Sequence, residues 1–370
     1  VEGTQRRAII TAERCRDLNN VRVYCDNLAE FTSDEKFDVV TLIGVLEYSR
    51  LFINAKDPVQ KCLQIAKSFL AEKGILVIAI ENQLGLKYFN GCTEDHTGIP
   101  YFGINDLYAD ATPVTFGKHE IETKLALAGF DQVNFFFPFP DYKLPTAILS
   151  EAALENTQLN VPDLLIQHSG KDYMGTLNRA FSEPLAWRAL HRNRLLSHMA
   201  NSFLIYAGKK NSNTSTDKTW LAKLYSRSNR QLQYQIETTI GTDESGNIEI
   251  TKRNLYPESA SREKKFLDQI TIEKSDYIHG SLYVNHIQQA MTLELGLNEV
   301  LEAYSGWIKF LQEESIQIEG QKFLPGDYVD CIPSNVIQKS DGSLEYFDAE
   351  WVSQNPIPLS WVVVRGIVYS

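Results

Sequence analysis

The 370-residue sequence contains no long hydrophobic run. Its apolar segment Trp361-Val362-Val363-Val364 is interrupted at once by Arg365, and nothing approaches the roughly 20 apolar residues of a membrane-spanning helix. Cysteine is scarce: Cys15, Cys25, Cys62, Cys92 and Cys331 are odd in number and scattered, with no pair at metal-ligand spacing. That argues against a disulfide framework or a zinc motif and points to reduced thiols in a cytoplasmic protein. Positive charge is short as well. Lysine and arginine number 36 against 47 aspartates and glutamates, and a net charge of −11 argues against a nucleic-acid partner. Neither a signal peptide nor an internal repeat is visible.

What is present points to packed globular domains. The apolar fraction is 43%, with 17 Tyr and 18 Phe, and the length exceeds that of one typical core, so two domains are expected. Val1-Glu2-Gly3 reads as the tail of a strand, and residues 362–370 stop inside an apolar segment. The sequence therefore reads as a piece of a longer polypeptide.

The most informative stretch runs from Phe37 to Asn82. Phe37-Asp38-Val39-Val40-Thr41-Leu42-Ile43 and Ile75-Leu76-Val77-Ile78-Ala79-Ile80 are apolar without alternation, as in parallel strands covered on both faces. Ligands in such open sheets sit beyond the carboxyl ends of the strands, which puts Gly44 to Tyr48 and Glu81-Asn82 on one rim. Helices are expected over residues 4–19, 59–72 (stopped by Gly74) and 119–128, and strands over 21–25, 132–139 and 202–207. A largely helical insertion spans about 150–199. Alternating strands and helices imply an α/β doubly wound sheet for residues 1–209. The polar stretch 210–218 reads as a linker. Beyond it come strands at 220–225, 234–240 and 248–252, then helical periods at 261–270 and 300–311, an α+β pattern for 219–370.

Polar residues at the rim suggest chemistry. His96, flanked by Asp95 in Thr93-Glu94-Asp95-His96-Thr97-Gly98, has the character of a general base near neutral pH; a loop cap is the other reading. The segment Phe137 to Pro145 forms either an acceptor wall or a structural corner.

Residues 1 to about 209 resemble class I S-adenosylmethionine-dependent methyltransferases from their second strand onward. The resemblance rests on Phe37-Asp38-Val39-Val40 through Val45-Leu46-Glu47-Tyr48, and on Thr115-Phe116 with Leu127-Ala128-Gly129-Phe130. It implies a Rossmann-like fold in which Glu2 holds the cofactor ribose and Asp26 sits near the adenine, with Gly44, Val45, Leu46 and Glu47 lining the cofactor pocket. An acid on the ribose gives two charge-assisted hydrogen bonds; taken singly, Glu2 and Asp26 also read as solvated loop carboxylates. The family's first strand and glycine-rich turn have no counterpart here, which implies weak cofactor binding by this stretch alone. Lys87-Tyr88 and Glu94 to Thr97 resemble segments of bacterial methyltransferases of surface-glycan synthesis, which implies a glycan or glycolipid-linked acceptor and glycosyltransferase partners.

The second half resembles aminoglycoside-phosphotransferase-like kinases. Asp330, Pro333 and Asn335 keep the spacing of their catalytic loop, and Asp348 in Phe347-Asp348-Ala349-Glu350-Trp351 stands for a second metal ligand. The resemblance implies ATP and magnesium, with Asp330 as the catalytic base, Asn335 and Asp348 on the metal, Lys252 on the phosphates and Glu263 as its partner. Tyr328 replaces the family's histidine, and no glycine-rich loop precedes Lys252. A degenerate fold that binds without catalysing is the alternative. The two domains together are similar to fusions that phosphorylate and then methylate a bacterial polysaccharide end.

Overall fold

A computed structural model describes residues 1–175, 179–210, 212, 220–226, 229–259, 267–293 and 296–370. Most of the segment 210–218, and Glu263, lie outside the described residues. The principal strands in chain order are β1 (Phe37–Ile43), β2 (Leu70–Glu81), β3 (Gln132–Phe139), β4 (Ala147–Ser150), β5 (Ser202–Gly208), β6 (Trp220–Tyr225), β7 (Ile236–Thr242), β8 (Ile248–Asn254), β9 (Leu267–Gln269) and β10 (Lys274–Asp276). The chain forms two compact units of mixed α/β structure. The first comprises Val1–Pro145, Gly170–Ala180 and Leu195–Lys218; the second, Thr146–Ser169, Phe181–Arg194 and Thr219–Ser370. Much of the insertion before residue 199 thus belongs with the second unit.

In the first unit the sheet order is β1-β2-β5-β3. β1 and β2 are parallel, in register from Val39↔Ile75 to Ile43↔Ala79. β5 runs antiparallel to both of its neighbours, β2 and β3. Leu76, Ile78 and Ile80 of β2 are buried, as are Phe135, Phe137, Phe203 and Ile205 on the adjoining strands. β1 departs from the expectation of cover on both faces: of its residues only Leu42 is buried, while Val39 and Ile43 are about half exposed.

Helix α1 (Gln5–Arg14) is shorter than its apolar spacing suggests, and residues 21–24 form no strand; Cys25 makes only an isolated parallel bridge to Glu2. Helix α2 (Pro58–Ser68) starts where Asp57 accepts the Gln60 amide at 3.0 Å and Pro58 pre-sets the first turn. It ends a turn before the position expected from Gly74, because the chain enters β2 at Leu70. Gly74 serves strand pairing instead: a Cβ there would stand 2.7 Å from the Phe37 carbonyl oxygen. Helix α3 (Lys118–Leu127) is closed at its carboxyl end by Lys67, whose ammonium donates to the carbonyls of Ala128 and Gly129 at 2.9 and 2.6 Å.

In the second unit β4, β6, β7, β8 and β10 form an antiparallel sheet in that order. The helix expected over 261–270 is corrected in its described part: Leu267–Gln269 is β9, paired with Trp351–Ser353. Helix α4 (Glu183–Arg192) precedes the sheet strands β6 to β10; α5 (Val284–Thr292) follows them. The period at 300–311 is split at Tyr304 into α6 (Leu297–Ala303) and α7 (Ser305–Glu313). They pack with α8 (Leu359–Val368) around Trp307, Leu311, Leu324 and Val362, all fully buried. Gly366 is required there, since a Cβ would fall 2.2 Å from the Trp307 ring. Among the described residues no helix is long and apolar enough to cross a membrane.

Candidate functional site

The first unit gathers its polar side chains beyond the carboxyl ends of β1 and β2, where a parallel pair leaves room for a ligand. β1 ends at Ile43, and Gly44, with a φ of +61°, turns the chain into the short helical turn Leu46–Tyr48. That turn buries both Leu46 and Glu47 completely. β2 ends on Glu81, followed by Asn82, both fully buried. Asn82 is structural: its amide donates to the carbonyls of His198 and Ala200 at 2.8 and 2.7 Å, and its oxygen accepts from the Leu84 amide.

The third contribution is the loop carrying His96. One oxygen of Glu94 accepts the amides of His96 and Thr97, both at 2.8 Å, and Asp172 accepts the amide and hydroxyl of Thr93. These bonds fix the imidazole. Its Nδ1 lies 2.9 Å from the Tyr48 hydroxyl, and its Nε2 lies 3.5 Å from Glu81 Oε2. The potential ligand atoms of Glu47, Glu81 and His96 all fall within 4.8 Å of one another.

Two lysines complete the network. Lys143 reaches Glu81 Oε1 at 2.6 Å and Asp95 Oδ2 at 2.9 Å, and the fully buried Lys87 reaches the same Asp95 oxygen at 2.8 Å. Burial would raise the Glu81 carboxyl, but the His96 imidazole 3.5 Å away and the charge of Lys143 outweigh it and hold Glu81 well below the carboxylate range. Burial likewise opposes protonation of His96, and the adjoining Glu81 and Glu94 overcome it, so the imidazole is raised above its ordinary value. Glu47 is different. Burial, followed by repulsion from Glu81, pushes its carboxyl up to about 7. Neither of its oxygens has a hydrogen-bond partner.

Glu2 and Asp26 lie side by side, the Asp26 amide donating to the Glu2 carbonyl at 3.2 Å. Each carboxylate makes a local bond through one oxygen, Glu2 to the Thr4 amide and Asp26 to the Asn27 amide, and both are partly exposed. Asn27 also donates to the Phe52 carbonyl at 3.0 Å, which ties this corner to the segment just after Glu47. Of the residues expected to line a cofactor pocket, Gly44 and Val45 are partly exposed. Leu46 is core.

Sequence reasoning singled out His96 and Glu47 but assigned no role to Glu81, Tyr48, Lys87, Asp95 or Lys143. Two signals were available: Glu81 ends an apolar strand on the functional rim, and Asp95 adjoins His96. Lys143 comes from the segment Phe137 to Pro145, expected as an acceptor wall or a corner, but nothing local announces that its ammonium reaches Glu81.

In the second unit Lys252 on β8 pairs with Asp348, and Asn335 donates to the carbonyl and a carboxylate oxygen of Asp330 at 2.9 and 3.4 Å. The Phe347 amide donates to the Asn335 carbonyl, so the two groups are adjacent. Asp348 sits at φ +60°, a left-handed conformation uncommon for a non-glycine residue. Arg365 holds Asp330 Oδ1 through two nitrogens at 3.1 and 2.6 Å. Lys252 and Asp348 line a cavity of about 430 Å³, whose apolar wall includes Leu224, Ile240, Ile250 and Ile270.

No protein-family model matches this chain, and no curated protein matches it. Among solved structures it is similar to an S-adenosylmethionine-dependent methyltransferase, possible histamine N-methyltransferase, from Thermotoga maritima. That likeness has 15% identity and a TM-score of 0.31, covering 56% of this chain and 71% of that one. A methyltransferase from Archaeoglobus fulgidus shows 14% identity and a TM-score of 0.29 over 55% of this chain and 82% of that one. PKMT2 from Rickettsia typhi shows 13% identity and a TM-score of 0.33 over 82% and 59%. Likenesses this distant carry no argument about chemistry, which rests on the residues themselves.

Proposed function

We propose that the first unit transfers a methyl group from S-adenosylmethionine to a glycan or glycolipid-linked acceptor. The observation that carries this reading is the pairing of Glu2 with Asp26 at a corner tied to the segment after Glu47, beyond the carboxyl ends of a parallel strand pair. The residues fit the cofactor: each of the two carboxylates uses one oxygen locally, leaving the other for the hydroxyls of a ribose or the amine of an adenine. The bound cofactor supplies an activated methyl carbon. The chain's part is alignment, and His96 Nε2, facing the buried cluster, accepts the proton that a hydroxyl acceptor releases. Incubation with methyl-labelled S-adenosylmethionine and bacterial lipid-linked glycans is expected to label the glycan fraction. Label confined to protein or nucleic acid would refute the acceptor class.

A second reading concerns the second unit, as a phosphotransferase using ATP and magnesium. The specific observation in its favour is the meeting of Lys252 with Asp348 and of Asp330 with Asn335 beside a cavity whose size and apolar wall suit a nucleotide base. Asn335 and Asp348 would hold the metal, Lys252 the phosphates, and Asp330 the acceptor hydroxyl. ATP with magnesium is expected to raise the melting temperature of the protein, and Asp348→Asn to abolish that rise. An equal rise in the variant would remove this reading.

A further inference from the structure

The buried network of the first unit carries an excess of negative charge. Glu47, Glu81, Glu94 and Asp141 are at most 2% exposed, and the Asp95 side chain is 2% exposed. Among the described residues two ammonium groups, Lys87 and Lys143, pair with members of this set, with Asp95 and Glu81. With all five ionised, the two lysines leave three negative charges, and a protonated His96 still leaves two. Uncompensated buried carboxylate costs several kcal/mol.

The deficit is local. Lys143 and Lys87 serve Asp95, and Lys143 serves Glu81 through Oε1. Glu94 spends one oxygen on two backbone amides, and Asp141 accepts from the Tyr173 hydroxyl and the Lys143 amide. Glu47 receives nothing: it is fully buried, and both oxygens lack a hydrogen-bond partner. It is aimed at Glu81 and at His96 Nε2, which also lacks a hydrogen-bond partner. Meanwhile His96 Nδ1 is held by the Tyr48 hydroxyl, which orients the ring so that Nε2 faces the carboxylates.

We propose that Glu47, Glu81 and His96 form a binding site for one divalent first-row metal ion. Two carboxylate oxygens and one imidazole nitrogen suit manganese, iron(II) or zinc. At about 2.0–2.2 Å from each ligand, such an ion holds three ligands roughly 3.0–3.6 Å from one another. His96 Nε2 and Glu81 Oε2, 3.5 Å apart, already stand at that spacing, and Glu47, within 4.8 Å of both, closes in by roughly an ångström. The ion offsets two of the three charges that the lysines leave once His96 binds as a neutral ligand. The proposal deepens the methyltransferase reading, on which its functional sense rests: the acceptor hydroxyl would be activated by coordination. With the ion present, His96 Nε2 is a ligand, and the proton of the coordinated acceptor hydroxyl would pass to water instead.

The test needs no acceptor. The protein, stripped with EDTA, is titrated with manganese(II), followed by calorimetry and electron paramagnetic resonance. One ion per chain is expected, with nitrogen modulation from the imidazole. Glu47→Gln and His96→Gln should each weaken uptake at least tenfold, and His96→Gln should abolish the nitrogen signal. Glu47→Gln removes a buried carboxyl that has no hydrogen-bond partner, so the metal-free variant should melt no lower than the metal-free parent, which a purely structural role would not allow. No saturable uptake of manganese or zinc, or uptake unchanged in both variants, would overturn the site. Binding of S-adenosylhomocysteine reports separately on Glu2 and Asp26, so failure of the metal site and failure of the cofactor reading are distinguishable.

Discussion

Lys87 shows how much one buried side chain organises. Its ammonium is fully buried, lies 2.8 Å from Asp95 and sits 4.8 Å from the centre of the Tyr88 ring. Asp95 in turn anchors Lys143, which anchors Glu81. Replacing one member of such a chain leaves its partner charged and buried, at a cost of about 3–5 kcal/mol. Lys87→Met is therefore expected to lower first-unit stability by about that amount in denaturant melts. A loss under about 1 kcal/mol, the range of surface pairs, would show that Asp95 is rescued by Lys143 alone. From sequence, Lys87 is simply a lysine in a glycine-containing loop, because its burial depends on contacts eight residues and more away. His96 was legible through its acidic neighbours and its place after a strand. Glu47 was legible as a member of the strand-end motif, but its lack of partners was not.

Elements were easiest to read where burial and period agree. β3 and β5 carry continuous apolar faces and appear within a residue of the expected bounds, whereas β2 starts five residues early, at Leu70. The expectation failed where glycine had two meanings: Gly74 reads as a helix stop but lies inside β2, where the Phe37 carbonyl forbids a side chain. It failed again at 267–269, where a helical period is overridden by pairing with Trp351–Ser353. Cross-strand pairs also tie the second unit's sheet. Glu237 on β7 accepts from Arg253 on β8 and Lys223 on β6 at 3.0 and 3.1 Å. Burial alone would raise the Glu237 carboxyl; these two partners outweigh it and hold it below its ordinary 4.5. A depressed folded value means that the stabilisation is present above pH 4.5 and disappears as pH falls through the lower folded value. Glu237→Gln should therefore flatten the acid limb of second-unit stability while costing stability near neutrality. An unchanged acid limb would show that the pair is solvated away.

At the scale of the whole chain, two units each bring together residues far apart in sequence. Lys252 and Asp348 meet across 96 positions, and Glu47, Glu81 and His96 converge from a strand end, a second strand end and a loop. The apolar, non-alternating strand pair indicated which rim to look at. It did not reveal the lysine network or the unpartnered carboxyl, since both arise from packing between loops. The central claim is that Glu2 and Asp26 bind the methyl donor. Its most direct test is calorimetric titration of S-adenosylhomocysteine into the protein as the cell makes it, beside Glu2→Gln. The account predicts a single site weakened at least tenfold by the substitution, about 1.4 kcal/mol or more. No binding by the unaltered protein, or binding indifferent to Glu2→Gln, would contradict it.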